Sequence, residues 1–219
     1  MRIVRVLSLV GLVAALSMAV ESGSAWAGKA ATADKEKELP KIELTNISEF
    51  DSVFSKAKTI QDTLDQNHAD LATSREKLNT TLGIATDAPL ATALADLKTK
   101  ASGKIKVAMK GGRPSLEPSE AVPDNVKAGI DAANALLDQA EKTVATAKQL
   151  LPEASALVGA CADFPGKIPG LVSDPVAVVK VTKTVGQDIK AIAATPDRIN
   201  RMIADVEAMF NDVKGAFGA

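Results

Sequence analysis

From Val126 to Cys161, small and aliphatic residues recur at alternating steps of four and three. The series is Val126, Ile130, Ala133, Leu137, Ala140, Val144, Ala147, Leu151, Ala154, Val158 and Cys161. That spacing puts every member on one face of a helix and on no single face of a strand. One column of the stripe is alanine at 133, 140, 147 and 154, and the other is aliphatic. Alanine every seventh residue lets a neighbouring helix approach toward the short end of the ~8–10 Å range. A pattern this long predicts an extended helical protein in preference to a compact enzyme.

Comparable patterns flank it. Phe50, Ala57, Leu64, Leu71 and Leu78 recur every seven residues, with Val53, Ile60, Asn67, Ser74 and Thr81 as the companion column. They predict a helix over about 47–82, with Asn46 as its cap and Gly83 at its end in a left-handed conformation. A second helix is expected from Asp87–Pro89 through Leu90, Leu94, Leu97, Ala101, Ile105 and Ala108. "KIKVAMK" within it also fits a short alternating strand, and helix is the preferred reading. Residues 111–123, "GGRPSLEPSEAVP", hold three prolines and two glycines and are expected to be irregular. A last helix is expected from about Pro175 to Phe217, through Val178, Val185, Ile192, Ile199, Val206 and Val213.

Pro152 and Pro196 fall inside these patterns. A proline removes one helical hydrogen bond and crowds the preceding turn. The stripes nevertheless keep phase across both, which predicts kinked helices that continue in one direction. A restart at Thr195, a good cap, is the rival. "FPGKIPG", residues 164–170, is the expected corner between the last two long helices. The fold expected is therefore all-α. It is an elongated antiparallel bundle of about four long helices over residues 46–219, packed like a coiled coil and kinked in places at proline.

The first 27 residues have the parts of a secretory signal. Arg2 and Arg5 precede the apolar run Val6–Val20, and Ala25-Trp26-Ala27 offers a small-x-small cleavage site. The run is shorter than the ~20 residues of a spanning helix, so cleavage is preferred over an uncleaved anchor. Residues 28–45 are polar and aperiodic and read as a flexible linker. The chain is thus expected to be exported, to the periplasm or the cell exterior. Removing the signal takes Arg2, Arg5 and Glu21, so of 26 basic and 27 acidic residues 24 and 26 remain. That near-neutral balance gives no electrostatic case for nucleic acid or for an anionic membrane. Trp26 is the only tryptophan and the chain has no tyrosine, so aromatic platforms for bases are not supported.

Candidate chemistry is sparse. His68, the only histidine, stands three residues after Asp65, but no second histidine completes a two-metal motif. Cys161, the only cysteine, falls on the stripe and reads as a small packed thiol. Asn67, Ser74 and Thr81 read as polar register-setting positions. Gly111 and Gly112 before Arg113 lack the remainder of a phosphate loop. No catalytic, cofactor-binding or metal residue is assigned. The function expected is an exported, non-catalytic scaffold or protein-interaction module of the cell envelope, binding another envelope protein or itself. The alternative is a carrier or chaperone-like bundle that shelters lipid or unfolded chains. If a partner site exists, the 111–123 segment is where a rigid frame would display it.

Overall fold

The structure is a computed structural model and describes residues 40–218. The expected signal peptide, and the linker up to residue 39, lie outside the described residues. Five helices and one hairpin follow in the order α1 (Ser48–Leu82), α2 (Leu90–Lys100), β1 (Ile105–Lys110), β2 (Arg113–Pro118), α3 (Asp124–Ala160), α4 (Phe164–Leu171) and α5 (Pro175–Phe217). The chain is mostly helical. α1 packs on α3 and α3 on α5, while the hairpin lies against α3.

The three long helices coincide with the three long stripes. α1 ends as its sequence predicts, with Gly83 at φ 70°. Its start differs: Asn46 takes φ 63°, and Ile47 occupies the cap position without a side-chain bond. Asp51 from the first turn ties down the entry instead. Its Oδ1 accepts from the Thr45 amide at 2.7 Å and the Thr45 hydroxyl at 2.9 Å. α3 and α5 run through Pro152 and Pro196 without interruption. Thr195 does not restart a helix; its buried hydroxyl donates to the Ala191 carbonyl one turn back, at 2.9 Å.

The all-α expectation is corrected at two places in the middle of the chain. α2 stops at Lys100 because Ser102 and Gly103 both adopt left-handed φ, 50° and 78°. "KIKVAMK" is strand β1, and half of the segment expected to be irregular is β2. The pair is antiparallel, Val107 opposite Leu116, with Lys110 opposite Arg113 around the two-residue turn Gly111–Gly112. Both glycines have positive φ, as the tight turns that match strand twist require. Pro114 and Pro118 are tolerated because a two-stranded sheet has only edge strands. At "FPGKIPG" the expected corner is itself the short helix α4, with Pro165 in its first turn.

The interior divides into two apolar clusters along the same helices. One holds Leu71 to Leu82, Val126 to Ala140 and Val206 to Val213, together with α2 and the hairpin's Leu116. The other holds Phe50 to Leu64, Ala147 to Cys161, α4, and Val185 to Ile199. Phe50, Phe54 and Phe164 meet there, with ring centres 4.7–6.4 Å apart. Aromatic pairs at such distances gain stability beyond their buried area. Ile42 is buried in this second cluster, so the end of the expected linker packs on the helices.

Candidate functional site

The alanine column of α3 is buried from end to end, Ala133, Ala140, Ala147 and Ala154 each at 2 % exposure or less. The aliphatic column is not. Ile130 and Leu137 are buried where α2 and the hairpin cover them. Val144 and Leu151 are half-buried, and Val158 is exposed. The reason is that α3 centres its alanine face on α1 and α5, while its second column needs a third layer that stops at the hairpin tip.

That stop creates a cleft of about 540 Å³, bounded by the Gly111–Arg113 tip, by α3 from Glu141 to Lys148 and by α5 from Glu207 to Lys214. Its apolar lining is Val144, Ala145 and Phe210. On α3 the lining residues Glu141, Val144, Ala145 and Lys148 follow i, i+3, i+4, i+7, one face of the helix. On α5 Glu207, Phe210, Asn211 and Lys214 repeat the same offsets.

The hairpin wall is rigidly fixed. The Arg113 guanidinium donates through Nε to Glu141 Oε2 at 3.0 Å, through a terminal nitrogen to Asp138, and to the Pro114 carbonyl at 3.1 Å. Its side chain is only 12 % exposed, so these charge-assisted bonds are worth more than a surface pair. Asn134 of α3 fixes the strand itself. Its Oδ1 accepts from the Leu116 amide and its Nδ2 donates to the Leu116 carbonyl, both at 2.8 Å. One side-chain amide thus pairs the free edge of β2 as a neighbouring strand would. With Arg113 consumed, the cleft's remaining cations are Lys148 and Lys214, which form no salt bridge among the described residues.

The residues singled out in the sequence are not gathered there. His68 is exposed on α1. Asp65, its expected companion, accepts from Arg198 of α5 at 2.5 Å. Cys161 is completely buried beside the phenylalanines, ~27 Å along α1 from His68 if measured from Phe50 at 1.5 Å per residue. No group of three metal-ligating side chains occurs among the described residues. Of the polar stripe positions, Asn67 and Ser74 are half-buried and Thr81 is exposed. The fully buried amide is Asn79, whose Nδ2 donates to the Thr86 and Ala88 carbonyls at 2.9 Å and holds the α1–α2 corner.

One buried acid escapes sequence reasoning. Asp188 of α5 is 1 % exposed. Its Oδ1 accepts from the Glu43 amide at 3.1 Å, and its Oδ2 has no partner. Burial pushes its pKa up to about 6, with the nearby Glu43 and Asp51 carboxylates adding to the rise and the Glu43 amide opposing it. Burial also pushes the Cys161 thiol up to about 11, helped by the Asp188 charge. At neutral pH Cys161 is therefore a neutral thiol and a poor nucleophile. In the sequence Asp188 differs in no way from a surface acid; only its i+3 offset from Val185 hints at the buried face.

Compared with known protein families, with curated proteins and with solved structures, the chain matches none.

Proposed function

We propose that the protein is an exported, non-catalytic interaction module of the cell envelope, and that the cleft below the hairpin tip is its partner-binding surface. In this reading α1, α3 and α5 form an elongated antiparallel bundle packed like a coiled coil, with the alanine column of α3 at the closest approach. The observation that carries the reading is the cleft's composition. An apolar floor of Val144, Ala145 and Phe210 lies between two lysines without salt bridges, beside a hairpin fixed by Arg113 and Asn134. The fitting partner is a short amphipathic segment of another protein, apolar in the middle and acidic toward its ends. A preformed wall lowers the ordering cost of binding. The carrier alternative asks the helices to part. The closely packed alanine column and the phenylalanine cluster favour the rigid module over it.

A photo-crosslinking residue placed at Ala145 in intact cells tests this, with one at exposed Thr80 as control. A discrete adduct at 145 that is absent at 80 is expected. It should be lost in a Lys148→Glu, Lys214→Glu variant whose thermal melt is unchanged. No adduct at 145, or one indifferent to both lysines, would sink the assignment.

A further inference from the structure

The exposed large apolar side chains are not scattered. Among the described residues they are Leu44, Met109, Val158, Leu171, Val176 and Val179. All but Met109 lie at the end of the molecule where α1 and α5 begin and α3 finishes. The two most exposed are Val176 at 78 % and Val179 at 72 %. With Lys180 and Lys183 they occupy i, i+3, i+4 and i+7, one exposed face on the first two to three turns of α5. Leu171, the last residue of α4, is 45 % exposed just before them. The face is therefore apolar at its tip and basic behind it.

The charges around the face offset these two lysines only in part, through the single carboxylate of Asp174 at the tip. Asp174 turns back to accept from the Val176 amide at 3.0 Å as the cap of α5. Lys167 of α4 is paired with Glu49 at 2.6 Å. Lys180 and Lys183 form no salt bridge among the described residues. Valines ahead of lysines is the order that suits a lipid interface: small apolar groups reach the acyl boundary, and lysine stems lie along them with ammonium groups among phosphates. A second copy is a poorer occupant, because a two-fold contact through this face would set like charges against each other. No helix of the described residues is long and apolar enough to cross a membrane, so the contact is with a surface.

The direction of the chain agrees. Ile42 is buried in the cluster at this end, and the Glu43 amide rests on Asp188, ~18 Å along α5 from Val176. The described chain therefore enters the helical body at this same end. We propose that the tip formed by Leu171, Val176 and Val179, with Lys180 and Lys183 behind it, rests on an anionic phospholipid surface. The cleft, whose α5 wall begins at Glu207, 31 residues beyond Val176, is then held away from the membrane.

The full chain carrying Cys161→Ala and Val179→Cys, labelled at 179 with an environment-sensitive dye, tests this on vesicles of phosphatidylglycerol and phosphatidylcholine. The same dye at Thr81→Cys, near the other end, is the control. A blue shift at 179 with vesicles, absent at 81, is expected. Lys180→Gln and Lys183→Gln should each weaken the response about five-fold. No shift at 179 overturns the proposal. So does flotation of the protein with vesicles while the dye at 179 remains in water, which would assign binding to another part of the chain. A blue shift that follows protein concentration without vesicles overturns it in favour of a second copy. Val179, Lys180 and Lys183 are exposed, so substitutions there leave the core intact, and Cys161→Ala is common to every labelled variant.

Discussion

Gly129 of α3 sits so close to Leu82 of α1 that a Cβ at 129 would lie 2.9 Å from Leu82 Cδ2. The same Cβ would lie 2.9 Å from Leu97 Cδ1 of α2. Glycine at this helical position is thus favoured by packing and not by backbone conformation, and a larger residue would make the two leucine side chains shift. Three helices converge on it.

Gly129→Ala gains ~1 kcal/mol of helix propensity and loses ~1–3 kcal/mol to overpacking. A net destabilisation of about 1 kcal/mol is expected in thermal melts. At Gly186 of α5 an added Cβ would meet nothing within 4 Å, so Gly186→Ala should raise stability by ~0.5–1 kcal/mol. Equal effects at the two sites would contradict the packing at Gly129.

Asn134→Ala removes both bonds to Leu116, a residue 1 % exposed. Leaving buried backbone groups unpaired costs ~1–3 kcal/mol each, so a loss of at least about 2 kcal/mol is expected. Asn134→Asp keeps the acceptor for the Leu116 amide but sets a second carboxylate oxygen against the Leu116 carbonyl, so it should also destabilise. Hydrogen exchange supplies the specific readout: the Leu116 amide should lose protection in the alanine variant and largely keep it in the aspartate variant.

Asp188 makes stability depend on pH in an unusual direction for a carboxylate. Its folded pKa, about 6, stands above the ordinary 3.8, so the folded state holds the proton more tightly. Its contribution is fully present below about pH 4, is lost as pH rises to about 6, and stays constant above that. Asp188→Asn should abolish this slope and stabilise the protein at neutral pH by on the order of 1–2 kcal/mol. Denaturant melts between about pH 4 and pH 7 decide it. A wild-type curve that rises over that window with a slope unchanged in Asp188→Asn would contradict the assignment.

Cys161 should resist alkylation in the native state at mildly alkaline pH and react promptly in urea, since it is buried and its thiol pKa is about 11. Cys161→Ala is expected to keep partner binding with a small loss of stability. Cys161→Ser should lose ~1–3 kcal/mol, because it places a hydroxyl in a completely buried site lined mostly by apolar residues. Prompt alkylation of the folded protein would mean that the end of α3 opens readily.

The long helices are legible in the sequence because their information is periodic. Phe50 to Leu78, Val126 to Cys161 and Val178 to Val213 each repeat a signal many times, and a repeated phase outweighs a single proline at 152 or 196. The hairpin is hidden for the opposite reason. Six-residue strands around Gly111–Gly112 carry little signal, and Pro114 and Pro118 argue against a strand that exists only as an edge. Its stability comes from Asn134 and Arg113 reaching across to and from α3, contacts between residues 18 to 28 positions apart.

The sequence alone therefore determined the helical class, the buried alanine column and the packing role of Cys161, because periodicity states which face of a helix is apolar. It could not state how much of that face is covered. Where the hairpin stops, whether Val144 and Phe210 line a cleft, and that Asp188 is buried while Val176 is exposed were decided only by the tertiary structure. Burial depends on which neighbours arrive, and those neighbours are set by turns and long-range side-chain bonds that leave no periodic trace in the chain.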